Sequence, residues 1–167
     1  MSDRDPGAAA SPLAPAGHVR IRSATRADAD TILHLLRQSS LPTDGIVERV
    51  DTTLIAHSGM TPVGTAALEI YPSAALLRSV AVDAAARTTG VGTALTTETL
   101  SLARQRGVKT VVLLTTTAEL FFARFGFERI TRDLVPRELK ESVEFTSACP
   151  ASAIVMRVDV PRSGEET

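Results

Sequence analysis

Arg87-Thr88-Thr89-Gly90-Val91-Gly92-Thr93-Ala94 follows the apolar run Leu76 to Val82. The pattern is a strand, a glycine-bearing loop and the start of a helix. Such a loop aims backbone N–H groups at one spot, with the positive end of the helix dipole behind them. Glycine lets a phosphate approach the backbone closely, because no Cβ stands in the way. The stretch reads as a phosphate site between a strand and a helix, and it calls for an α/β fold.

Working outward, the helix opened by this loop runs to about Arg106. Val91, Leu95, Leu102 and Ala103 form its inward stripe, and Gly107 is a C-terminal stop. Thr110 to Leu114 is an apolar run short enough for a central buried strand. Ala118 to Phe125 reads as a compact helix ending at Gly126, and Phe127 to Arg132 begins a further strand. Pro136 to Ser142 reads as a helical turn in a long connection. Ala153 to Val160 alternates, with Ile154, Met156, Val158 and Val160 on one face. Upstream, Val19 to Arg22 is a short strand, Arg26 to Ser39 an amphipathic helix, and Thr43 to Arg49 a second short helix. Thr53 to Ala56 and Val63 to Ile70 are strands joined at Ser58-Gly59. Antiparallel hairpins come first and a β-loop-α-β unit follows. The expected fold is a single α/β (α+β) domain over 18–160, with a mixed, mostly antiparallel sheet flanked by helices.

Composition sets the remaining bounds. The 167 residues suffice for one domain with a real core. Hydrophobic residues make up 44% and charged residues 22%, as in a folded globule. A net charge of -1 supplies no general attraction to nucleic acid or to an anionic membrane. The single cysteine, Cys149, allows no internal disulfide, and a cytoplasmic location is expected. His18, His34 and His57 lack metal-ligand spacing, so no metal is expected. Residues 1–17, rich in Ala, Pro and Gly, read as a disordered leader, and 161–167 as a flexible tail.

Arg87-x-x-Gly90-x-Gly92 after Ser79-Val80-Ala81-Val82 resembles the pyrophosphate loop of the GNAT N-acetyltransferases, whose form is Arg/Gln-x-x-Gly-x-Gly/Ala. Phe122-Ala123-Arg124-Phe125-Gly126-Phe127 is similar to their second signature. A narrower likeness runs through Ala75 to Val82, Leu113 to Glu119, Phe121 to Phe127 and Cys149 to Ala153. These segments resemble the arsenic-resistance N-acetyltransferases, a group similar to amino-acid acetyltransferases such as N-acetylglutamate synthase. The likeness covers about Val19 to Val160.

The resemblance implies acetyl-CoA as co-substrate and a small-molecule amine as acceptor, with a homodimer as the assembly. The acceptor so implied is amino-acid-like and includes arsenic- or phosphorus-containing amino acids. Backbone groups of Val80, Ala81 and Val82 would pair with pantetheine. The loop Arg87, Thr88, Thr89, Gly90, Val91, Gly92 and Thr93 would hold the pyrophosphate, with Thr115 and Phe122 completing the donor site. Arg78, Ser79 and Thr116 lie where acceptors bind.

The reaction needs a neutral amine, and an α-amino group of pKa about 8 is mostly protonated at pH 7. A modest base is therefore required. Glu69, near the end of a strand, is the first candidate, and Glu119 and Glu144 are the second and third. An arginine fork at Arg78 or Arg157 matches either an acceptor carboxylate or a nearby glutamate. Many relatives protonate the departing thiolate with a tyrosine at the position of Phe122. This chain's one tyrosine, Tyr71, falls in a predicted turn, so tyrosine protonation at the usual place is excluded, and water or Thr115 to Thr117 would serve. One thiol is too few for tight trivalent arsenic capture, so Cys149 reads as packing. Two alternatives stay open: a catalytically quiet acyl-CoA-binding module on the same fold, and acetylation of protein N-termini or lysines.

Overall fold

A computed structural model describes residues 19–161. The expected leader and nearly all of the expected tail lie outside the described residues. Seven strands form one sheet: β1 Val19–Ser23, β2 Thr53–Ser58, β3 Thr61–Ile70, β4 Ala75–Val82, β5 Thr110–Thr115, β6 Glu128–Ile130 and β7 Ile154–Asp159. Their order is β1-β2-β3-β4-β5-β7-β6. Every pairing is antiparallel except β4 with β5. That parallel pair is bridged by α2 (Val91–Gln105), because parallel neighbours need a crossover. The other helices are α1 (Ala29–Gln38) and α3 (Glu119–Ala123).

Central strands are apolar on both sides, as a doubly covered sheet requires. On one face Leu54, Ala66 and Val63 pack against Val91 and Leu95 of α2, while Leu68, Leu77, Leu113 and Met156 pack with Ala103 and Phe122. On the other face Ile55, Ala67 and Ala81 meet Ile32 and Leu36 of α1. Beside them Leu76, Val112 and Val155 lie under Val135 and Leu139 of the long β6–β7 connection. Ile154, Met156, Val158 and Val160 do share one cluster, as their alternation predicts.

Several bounds differ from expectation. The helix expected over Thr43 to Arg49 is a tight turn over Val47–Thr52, and β6 is only three residues long. The β6–β7 connection holds tight turns at Arg132–Leu134 and Arg137–Glu141 and a wider one at Glu144–Ala148 that the periodicity did not reveal. Glu138 ties this connection to the β3–β4 turn by accepting from the Ser73 N–H at 2.9 Å.

Gly64 sets how closely α2 lies on the sheet. A Cβ there would stand 2.8 Å from Leu95 Cδ1 and 3.0 Å from the Ala81 carbonyl oxygen. The contact fixes the height of α2, and with it the position of the loop that opens α2.

Candidate active site

β4 and β5 pair only over Ala75–Leu77 with Val111–Leu113, and then they part. The cause is a bulge in β4. Ala67 pairs with Arg78 and Thr65 with Ala81, so Ala66 alone spans Ser79 and Val80. Ser79 takes the left-handed region at φ 59. A bulge adds a residue and bends its strand, here away from β5. Beyond it, Val80, Ala81 and Val82 have no β5 partner. A cleft of 1410 Å³ opens between the two strands.

One end of the cleft is the glycine loop. Gly90, at φ 90, is the N-cap of α2, and no side chain caps it. The first N–H groups of a helix lack intrahelical acceptors, so here they are left for a ligand. Thr88 is left-handed at φ 70. A Cβ on Gly92 would lie 3.4 Å from Phe121 Cζ and 3.6 Å from Val82 Cγ2, so any larger side chain would fill this cradle. Arg87 Nε donates to the Val82 carbonyl at 3.2 Å, which folds the exposed guanidinium against the strand end. Oriented amides, an open helix terminus and Arg87 together suit a pyrophosphate.

Residues 49–129 match the family described as Acetyltransferase (GNAT) domain. The chain carries a GNAT acetyltransferase domain. No curated protein matches at a significant level. Among solved structures, the N-acetylglutamate synthase of Neisseria gonorrhoeae, complexed with coenzyme A and N-acetyl-glutamate, is 20% identical with a TM-score of 0.75. That match covers 86% of this chain and 35% of the synthase, so the chain spans about a third of that protein's length. Rv2747 of Mycobacterium tuberculosis, solved in complex with CoA, is 25% identical over 85% of this chain and 99% of its own, with a TM-score of 0.73. The ribosomal-protein-S18-alanine N-acetyltransferase of Escherichia coli is 19% identical over 89% and 98%, with a TM-score of 0.68.

Within this GNAT domain the cleft collects most of the residues singled out in the sequence. Val80, Ala81, Val82, Arg87, Thr88, Gly90, Gly92 and Thr93 line it, as do Thr115, Thr116 and Phe122. Thr89 and Val91 do not. The Thr89 hydroxyl donates to the Ala86 carbonyl, and the Val91 side chain is buried in the core under α2. Phe122 is 7% exposed and packs edge-on against Phe121 and Phe127, at 5.0 and 5.8 Å between ring centres. Ala118 N–H donates to Thr115 Oγ at 2.9 Å, which starts α3 at the cleft wall.

The polar groups at the other end are arranged differently from expectation. Glu69 does not line the cleft. It is 2% exposed, and Arg78 Nη1 donates to its Oε2 at 2.7 Å. Tyr71 Oη donates to its Oε1 at 2.8 Å. Burial pushes the Glu69 carboxyl up, but hydrogen bonds from Arg78, Ser142 and Tyr71 outweigh it and hold the group below its ordinary range. A carboxylate so fully satisfied is a weak base. Tyr71 is pushed up to about 12 by burial and by Glu69, so its proton stays.

The sequence reading offers the Arg78 fork to an acceptor; the structure commits it inside the protein. Its side chain is 0% exposed. Nη1 holds Glu69, Nε donates to Ser79 Oγ at 3.0 Å, and Nη2 stops 3.4 Å from Glu144 Oε2 without hydrogen-bond geometry. Glu144, the third candidate, does line the cleft. Burial holds its carboxyl above the ordinary range, against the pull of Arg78 and a hydrogen bond from Cys149. Cys149 Sγ donates to Glu144 Oε1 at 3.4 Å. Burial and the adjacent Glu144 push the thiol up to about 12, so it remains a neutral donor.

Two further candidates sit elsewhere. Glu119 forms an ion pair with Arg129 at 2.7 Å, and Arg157 with Asp159 at 3.2 Å, all outside the cleft. One wall was not foreseen. Ser39, Ser40, Leu41, Pro42 and Asp44, after α1, line the cleft, as does the loop of Ser147 to Pro150. The only local signal was the helix-stopping Pro42, and a stop does not indicate what the following loop touches. Among the described residues, no group of three His, Cys, Asp or Glu could hold a metal ion. No described helix is long and apolar enough to cross a membrane.

Proposed function

We propose that the protein is an acetyl-CoA-dependent N-acetyltransferase acting on the amine of a small amino-acid-like acceptor. The observation that carries this is the opening between β4 and β5, which runs from an unpaired strand edge to the uncapped start of α2. An extended pantetheine fits the free edge at Val80 to Val82, and a pyrophosphate fits the glycine cradle. Acetyl-CoA supplies an activated thioester there. An ammonium has no lone pair, so the acceptor must lose a proton before attack. Glu144 is the carboxylate this reading assigns to take it, supported by its lining the cleft and by a carboxyl held above the ordinary range. The nitrogen bonds to the acetyl carbon as the carbon–sulfur bond breaks. Two protons leave nitrogen in all, one ending on the departing sulfur and one in solvent. A thiolate of ordinary pKa can leave without a dedicated acid, and the exposed Thr116 and Thr117 hydroxyls border the cleft. Glu69 acts one step back, by anchoring Arg78 beside Glu144.

The resemblance to arsenic-resistance N-acetyltransferases extends the acceptor to arsenic- or phosphorus-containing amino acids. The single cysteine suits a reducing cytoplasm. A second reading, a non-catalytic acyl-CoA-binding module, is favoured by one observation: Phe122 replaces the usual acid, and the only tyrosine is locked on Glu69. Thiol release from acetyl-CoA, measured over amino acids, arsenic and phosphorus analogues and simple amines, separates the two. Turnover establishes the transferase; CoA binding without turnover on any amine establishes the module.

A further inference from the structure

The acceptor end of the cleft is short of available positive charge. Among the described residues Arg78 is its only lining cation, and it stands against Glu69 at 2.7 Å and Glu144 at 3.4 Å. Asp44 is exposed and lines the same cleft as Glu144, and its charge adds to the upward push on the Glu144 carboxyl. A Cβ on the adjacent Gly45 would lie 3.6 Å from both Arg78 Nη1 and Val143 Cγ1, which places this loop against Arg78 and against the residue before Glu144. One cation thus faces three carboxylates. The C-terminal, negative end of α1 adds to them, since residues 39–42 line the wall after it.

Other cations stand apart. Arg87 and Arg124 line the cleft at the glycine loop and α3, on the phosphate side. Arg132 donates to the Ala151 carbonyl at 3.0 Å, and neither it nor Arg49 lines the cleft. Glu144 itself is 6% exposed, and its Oε2 has no hydrogen-bond partner. It is a buried anionic acceptor atom still lacking a donor, which an ammonium would supply.

Resting on the acetyltransferase reading, we propose that this end selects acceptors whose far end is cationic, such as basic amino acids and diamines. The reacting amine meets Glu144 and the second cation lies near Asp44. Acceptors with an anionic side chain face like charge, and the one Arg78 nitrogen without a hydrogen-bond partner, Nη2, already stands 3.4 Å from Glu144 Oε2. Within the acceptor range proposed above, the arsonate and phosphinate amino acids are therefore the disfavoured ones. The inference departs from the dicarboxylic product bound by the Neisseria gonorrhoeae synthase.

The test measures thiol release with L-lysine, cadaverine, L-norleucine and L-glutamate, and calorimetric binding of cadaverine to the CoA-loaded protein. L-Lysine and cadaverine should exceed L-glutamate in kcat/KM by more than about tenfold. Asp44→Asn, an exposed substitution, should lower the ratio of lysine to norleucine kcat/KM by about three- to fivefold and weaken cadaverine binding similarly. Faster turnover of L-glutamate or of a phosphinate amino acid would overturn the proposal, as would a lysine-to-norleucine ratio unmoved by Asp44→Asn. If no amine is turned over, the transferase reading fails and the binding arm still decides: Asp44-dependent cadaverine binding supports the cationic site, and its absence overturns it.

Discussion

Arg78 and Glu69 meet at 2.7 Å with side chains 0% and 3% exposed, on adjacent strands and diagonal in register. β4 carries the arginine and β3 the glutamate, both toward the face covered by the β6–β7 connection. The pair holds a remaining arginine nitrogen, Nη2, 3.4 Å from Glu144 at the cleft.

Breaking this pair leaves a buried charge without its partner. Arg78→Met should destabilise the fold by about 3–5 kcal/mol, because Glu69 then keeps only Tyr71 and Ser142. The double variant Arg78→Met with Glu69→Leu should recover part of that loss. Urea denaturation of the two variants checks the ordering; equal stability of both single and double variants would deny that the pair is a unit.

The acid limb of kcat should report Glu144. Its carboxyl must be ionised to take a proton, and burial holds it above the ordinary range. The limb should therefore lie above the pH of an ordinary glutamate. Cys149 hydrogen-bonds the ionised form and so lowers the pKa; Cys149→Ala removes that bond and should move the limb to higher pH. Glu144→Gln should abolish the limb, with a fall in kcat of roughly 10²-fold or more. Glu69→Gln should leave the limb in place. A pH–rate profile that loses its acid limb with Glu69→Gln instead would return the role to Glu69.

Donor binding should depend on the glycine loop. Gly90→Val forces a β-branched residue to φ 90, and Gly92→Val fills the space before Phe121 and Val82. Both should cut CoA affinity by more than about tenfold, a loss of at least ~1.4 kcal/mol. Gly92→Ala meets only ordinary contact distances and should fold normally. Calorimetric titration with CoA checks all three, and wild-type affinity in Gly92→Val would remove the loop from the donor site.

Gly64→Ala tests the coupling between core and loop. The added methyl would push Leu95 and the Ala81 carbonyl, so α2 must lift from the sheet. A loss of about 1–3 kcal/mol in stability is expected, with weaker CoA binding because the start of α2 moves too. Unchanged thermal stability would show that the packing has slack there.

Much of the glycine-loop end of the cleft was legible in the sequence because its parts are contiguous. The apolar run to Val82, the glycines at 90 and 92 and the stripe of α2 lie within one strand–loop–helix segment. Local propensity and spacing suffice for such a unit. The bulge at Ser79 was not legible. No glycine marks it, and it exists because Ala66 on a neighbouring strand spans two residues of β4.

The other end of the cleft depends on separated segments. Asp44, Glu69, Arg78 and Glu144 come from the α1–β2 connection, β3, β4 and the β6–β7 connection. Which glutamate pairs with Arg78 and which one faces the cleft follows from strand register and from how the long connection closes over the sheet. By itself the sequence determined the α/β architecture and the strand–glycine loop–helix unit, since both arise from periodicity and backbone conformation over short spans. Only the tertiary structure decided that Glu69 is the buried partner of Arg78 and that Glu144, though itself nearly buried, lines the cleft. Charge pairing and desolvation act through space, and spacing along the chain does not carry them.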